Sequence, residues 1–144
     1  MWLLRQRQVR RQSRFEALRE FCRRYFSEHS REERGLYLLR GWLSSRQREE
    51  FDSKGYFEVI GCDTGRRYRV LYGTVMNVHE LDEAGGLKMG WCFIPNGALV
   101  AGDVMLAQKI ALETFERDAL SVAKRFVPKE SFDLTVTRNF RPCT

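Results

Sequence analysis

Four cysteines and two histidines are the residues of this chain best suited to nucleophilic or metal chemistry, and their spacing limits what they can do. Cys22, Cys62, Cys92 and Cys143 lie far apart and form no Cys-x-x-Cys pair. Zinc sites open on close-spaced ligands, and small disulfide scaffolds are denser in cysteine, so free thiols in a reducing compartment are expected. The one set that might converge on a metal is Cys62, His79, Cys92 and Asp103, and its wide spacing argues for no metal. A Cys–His nucleophile would need His79 beside Cys62 or Cys92, with a third group to orient it. His79 sits in Asn77-Val78-His79-Glu80, which reads as an ordinary strand, and His29 falls where an imidazolium complements a helix end.

Other chemistries lack their motifs. Asp63-Thr64-Gly65-Arg66-Arg67 and Asn96-Gly97 carry glycine but match no phosphate-binding loop. The acidic pairs Glu49-Glu50 and Asp82-Glu83 fall on predicted surface elements, and no serine occupies a Gly-x-Ser-x-Gly elbow. The expectation is a protein that is not an enzyme and holds no cofactor. A small Cys/His-dependent enzyme is the alternative that a depressed thiol pKa would reveal.

The charge is more informative. The formal net charge is +6, and five of those charges are Arg5, Arg7, Arg10, Arg11 and Arg14, in a stretch free of Asp and Glu; residues 15–144 carry the remaining +1. On a helix Arg7, Arg10, Arg11 and Arg14 share one face, with Gln6, Gln8 and Gln12 between them. Guanidinium groups in such a strip can fork onto phosphate oxygens. Two plainer readings are a solvated helix face and a tail that neutralises an acidic protein surface. Arg66, Arg67 and Arg69, beside Tyr68 and Tyr72, form a second basic–aromatic cluster of the kind that contacts single strands. Alternation at Tyr68, Val70 and Tyr72 favours burial of these tyrosines over display.

The elements that position these residues read as follows. Phe15, Leu18, Phe21, Cys22, Tyr25 and Phe26 make an apolar stripe that should dock on the body, on a helix ending near Ser27–Ser30. A second helix is expected over Arg31–Arg40. Ser44 with Gln47 forms a capping box for a short helix that stops at Gly55, with Phe51 facing inward. Short strands at Tyr56–Gly61, Arg67–Gly73, Thr74–Leu81 and Leu87–Ile94 predict an antiparallel four-stranded meander (about 56–94) with one wet face carrying Arg67, Arg69, Glu80 and Lys88. Asp103 caps a long helix (103–126) whose inward stripe is Val104, Ala107, Ala111, Phe115, Ala119, Val122 and Phe126, flanked by Met105 and Leu112. Lys109, Glu113, Glu116, Arg117 and Lys124 should cover its outer side. Gln108 lies within the apolar stripe, and a buried amide must be hydrogen-bonded, so it reads as a structural polar residue. An edge strand at 132–137 follows, with Arg138 and Arg141 beyond it. The fold class is α+β: residues 1–30 as an arginine-rich helix and 31–144 as one domain, preceded by N-terminal helices.

The segments Gly65-Arg66-Arg67-Tyr68-Arg69-Val70, Asn77-Val78, Trp91-Cys92-Phe93-Ile94-Pro95 and Gly102-Asp103-Val104-Met105-Leu106-Ala107-Gln108-Lys109 resemble a family of small uncharacterised bacterial and phage-encoded proteins. The resemblance covers about residues 43–126; it implies a bacterial or mobile-element setting and assigns no catalytic residue. The order hairpin, Cys, loop, helix is also faintly similar to SWIM zinc-finger domains. Ile94 stands where their second Cys would be, and Asp103 and Met105 replace the later pair, so that likeness implies topology without zinc.

Hydrophobic residues make up 43% and charged residues 31%, as in a folded globular protein, and no apolar run reaches the length of a membrane span. Met1-Trp2-Leu3-Leu4 precedes Arg5, the reverse of a secretory signal, although an acid-free Arg-rich start also fits a mitochondrial transit peptide. A cytoplasmic location is expected. The sequence therefore reads as a non-enzymatic binding or adaptor protein whose partner is nucleic acid or an acidic protein surface. A homo-oligomeric assembly module, pairing through the Phe15–Phe26 stripe, is the other non-enzymatic alternative.

Overall fold

A computed structural model describes residues 2–129, except for the side chains of 2–14, Tyr25, Phe26, Glu28 and His29. The expected strand at 132–137, Arg138, Arg141 and Cys143 lie outside the described residues. The chain divides into two compact units, Met1–Glu33 and Arg34–Thr144. No described helix is long and apolar enough to cross a membrane.

The first element, α1, is one helix over Trp2–Trp42, where two were expected. Gly35 does not interrupt it, and neither Ser27 nor Ser30 ends it; the Ser30 hydroxyl donates back to the Ser27 carbonyl at 2.8 Å. In the unit Met1–Glu33, Phe15, Leu18 and Phe21 of the stripe expected to be buried are exposed, and Cys22 is half-buried.

The unit Arg34–Thr144 holds the core. Leu36, Leu39 and Leu43 bury at the end of α1, and α2 (Ser45–Lys54) follows at once. Its start is the capping box expected: the Gln47 amide donates to Ser44 Oγ at 3.2 Å, and the Ser44 amide donates to Gln47 Oε1 at 3.1 Å. Its end is Gly55 at φ 75°, a left-handed conformation that favours glycine. Phe51 is fully buried, edge-on to Phe57.

The sheet is antiparallel, with β1 (Tyr56–Ile60), β2 (Arg67–Leu71), β3 (Val78–Leu81), β4 (Leu87–Cys92) and β5 (Lys124–Phe126) in sequence order. Phe57 pairs with Val70, Val59 with Tyr68, and Val70 with Val78, which builds one apolar face. The fifth strand was not foreseen; it occupies residues assigned to the long helix. Phe126 pairs with Gly90, and its ring lies where a Cβ of residue 90 would stand, 2.3 Å from the ring carbons. Glycine leaves a gap on β4, and the aromatic ring fills it, which holds β5 in the sheet.

The long helix is two helices, α3 (Ala101–Thr114) and α4 (Glu116–Val122), broken at Phe115 with φ −142° and ψ 45°. Its buried face is also rotated from the expected one. Met105, Gln108 and Leu112 bury, whereas Ala107, Phe115 and Val122 are exposed. Lys109, expected outside, is buried and pairs with Glu113 at 2.5 Å. The rotation follows from a close approach of α3 to α1: a Cβ on Gly102 would lie 2.2 Å from the Gly35 carbonyl carbon. Two facing glycines let the backbones nearly touch, and that contact fixes which side of α3 faces in.

Candidate functional site

Tyr56 opens β1 in a setting dominated by paired charge. On the neighbouring β2, Arg67 donates to Glu58 at 2.7 Å and Arg69 to the other oxygen of the same carboxylate at 3.3 Å. The Arg69 guanidinium also lies over the Tyr56 ring, 4.3 Å from its centroid. Burial pushes the Glu58 carboxyl up, but the hydrogen bonds and charges of Arg67 and Arg69 outweigh it and hold the group below the usual carboxylate range. Arg66 approaches Glu80 at 3.7 Å. Glu80, expected on a wet face, is buried; it accepts from Lys88 at 3.0 Å and from the Trp91 indole at 3.2 Å. All three hairpin arginines therefore face carboxylates of their own unit, and Tyr68 is buried.

The densest polar cluster lies at the turn between β1 and β2. Glu116 is fully buried at the first residue of α4. Its Oε2 accepts from the backbone amides of Asp63 and Thr64, both at 2.8 Å. Its Oε1 accepts from Thr64 Oγ1 at 2.5 Å and from the Tyr68 hydroxyl at 2.6 Å. In return the Arg117 amide donates to Asp63 Oδ2 at 3.0 Å. Burial pushes the Glu116 carboxyl up, yet the bonds from Thr64, Tyr68 and the two backbone amides prevail and leave it below its ordinary value. Burial, followed by the adjacent Glu116, pushes the Tyr68 hydroxyl well up. Four donors on one carboxylate also explain the break at Phe115. Charge-assisted bonds of about 1.5–3 kcal/mol each outweigh the loss of helical continuity there.

The same turn supplies the group of described residues able to hold a metal: Cys62, Asp63 and Glu116 offer ligand atoms within 4.8 Å of one another. This set differs from Cys62, His79, Cys92 and Asp103. Cys62 is drawn to the Glu116 turn, while His79 pairs in register with Gly90 and meets the Phe126 ring edge-on at 5.7 Å. Both Glu116 oxygens already accept two hydrogen bonds each, so the arrangement works as a clamp on the turn.

Gln108 is buried and exchanges two amide bonds with Asn77, at 2.8 and 2.9 Å. The Asn77 amide also donates to the carbonyls of Leu71 and Gly73. That pair ties α3 to the β2–β3 loop, where Met76 takes φ 52°. Asp103, the expected cap, lies inside the first turn of α3, and the capping position is Val100, with no side-chain bond. A shallow apolar groove of about 240 Å³ runs beside this pair, between α3 and the loop from Phe93 to Leu99.

Sequence reasoning placed Glu116 on the outer side of a helix and so missed a buried carboxylate that accepts four hydrogen bonds. No sequence signal announced the contact; in the structure Gly61 makes room for it, since a Cβ there would stand 2.2 Å from the Glu116 Cδ and push the carboxylate off its donors. Arg5, Arg7, Arg10, Arg11 and Arg14 lie on α1, with side chains outside the described ones. No family model, curated protein or solved structure matches the chain.

Proposed function

We propose that this chain is a nucleic-acid-binding protein that grips phosphate through the arginine tract at the start of α1. The observation that carries this reading is the internal pairing of the other arginine cluster. Arg66, Arg67 and Arg69 are engaged by Glu80 and Glu58 within their own unit, whereas Arg5, Arg7, Arg10, Arg11 and Arg14 lie in a stretch with no Asp or Glu and carry five of the six net charges. The helical backbone from Trp2 onward spaces four of these by three and four residues, along one face. Guanidinium groups so arranged suit a run of phosphates better than scattered carboxylates, because phosphates repeat at short, regular intervals along a strand.

The experiment is an anisotropy titration of duplex and single-stranded oligonucleotides at about 50 and 200 mM salt, where phosphate contacts lose affinity steeply. The full chain is compared with a variant carrying Gln at all five positions. Five contacts on duplex predict a slope of log affinity against log salt near −4.5, roughly −0.9 per phosphate neutralised. Equal affinity and equal slope for the two proteins would remove the tract from the mechanism. Binding to an acidic protein with none to either nucleic acid would transfer the function to a protein partner.

A further inference from the structure

In the unit Met1–Glu33 three large apolar side chains of α1 face water: Phe15 is 67% exposed, Leu18 57% and Phe21 65%. Three such residues within two turns make a contiguous patch rather than scattered surface carbon. Phe15, Leu18, Cys22 and Tyr25 recur at intervals of three, four and three, the a and d positions of a heptad. In that frame Arg14, Phe21 and Glu28 take g positions, and Arg5, Arg19 and Glu33 take e positions. We propose that this seam pairs with the same seam of a second copy of the chain, the two helices running antiparallel.

The flanking charges select both the partner and its direction. Antiparallel pairing sets a against d, so the position of Phe15 meets Tyr25 of the second copy and that of Leu18 meets Cys22. It also sets g against g and e against e. Arg14 then stands opposite Glu28 of the second copy and Arg5 opposite Glu33, each pair occurring twice by the two-fold symmetry. One like-charge contact, Arg19 with its own copy, falls on the axis. Parallel pairing sets each g against the following e, which puts Arg14 against Arg19 and Glu28 against Glu33. It would also bring the two arginine tracts side by side, whereas the antiparallel pair carries them to opposite ends. Arg5 and Arg14 enter both readings, so the dimer leaves Arg7, Arg10 and Arg11 of the tract unpaired for phosphate; association is read without nucleic acid, so either reading can fail alone.

Sedimentation velocity on the full chain, at widely spaced concentrations, reads the association. A monomer–dimer equilibrium is the expected result, and a strict monomer throughout overturns the proposal. Leu18→Glu puts a charge in the seam and should weaken dimerisation by at least about tenfold. Its circular dichroism should match that of the parent, because Leu18 lies in water in the monomer. Glu28→Arg should weaken the dimer by about threefold or more, and adding Arg14→Glu should restore it. A dimer indifferent to Leu18→Glu, or a charge swap that fails to rescue, overturns the seam. For direction, Gln6→Cys is spin-labelled with the four native cysteines replaced by Ala. The rise per residue and helix diameter give a label separation of roughly 40 Å antiparallel and about 20 Å parallel. The shorter distance overturns the orientation.

Discussion

The hydroxyl of Tyr68 and the carboxylate of Glu116 meet at 2.6 Å in a place where neither residue touches bulk water. One belongs to the second strand and the other to the start of α4, so a single bond joins the sheet to the last helix. The charged acceptor makes the contact worth more than an ordinary tyrosine bond, because a buried carboxylate loses its water unless donors replace it.

Glu116→Gln keeps the shape but removes the charge and turns an amide NH₂ toward existing donors. It should lower unfolding free energy by about 2–4 kcal/mol, and Tyr68→Phe by about 1–3 kcal/mol. Urea unfolding at neutral pH measures both. If Glu116→Gln left the midpoint unchanged, the clamp would have no energetic weight.

The depressed Glu116 carboxyl also sets a pH dependence. Its folded pKa lies below the ordinary 4.5, so the ionised form is the one stabilised by folding. That contribution is complete above the ordinary value and is lost as pH falls through the folded one. Stability should drop on the acid side of 4.5, and Glu116→Gln should flatten that limb of the profile. An equally steep acid limb in the variant would assign the loss to other groups.

Two glycines of one turn should respond differently to alanine. Gly61→Ala drives a Cβ into the Glu116 carboxylate at 2.2 Å, an overpacking that costs about 1–3 kcal/mol or more. Gly65 has φ 71° and open space around its would-be Cβ, so alanine costs only the left-handed backbone, about 1 kcal/mol. Thermal melts of both variants check the order, and Gly65→Ala should be the milder.

The amide exchange between Asn77 and Gln108 lends itself to a double-mutant cycle. Each single alanine variant strands a buried amide, whereas the double variant removes both. A coupling of about 1–2 kcal/mol is expected, as for contacting buried polar pairs. Additivity within error would mean that the pair contributes no mutual stabilisation.

The parts legible in the sequence were those encoded by neighbours. Ser44, Gln47 and Gly55 announce α2 within twelve residues, and alternation at Tyr68 and Val70 reports their burial. Long-range contacts were opaque. Helical periodicity continues through Phe115, but the backbone breaks there because Glu116 finds three donors on a turn more than fifty residues earlier and a fourth, the Tyr68 hydroxyl, on the strand after it. The inward face of α3 is set by Gly102 against Gly35, an encounter that no wheel drawn on α3 alone contains. Glu80 read as solvent-facing for the same reason: its partners Lys88 and Trp91 lie on the next strand. The arginines at 66, 67 and 69 looked available because Glu58 and Glu80, which pair with them, are brought close only by the sheet.

The Glu116 clamp also imposes an order on synthesis. The hairpin of β1 and β2 leaves the ribosome long before residue 116, so its turn must wait with the amides of Asp63 and Thr64 turned to water. The last helix of the described chain therefore acts as a latch, and the nascent protein locks its first hairpin only when that latch arrives.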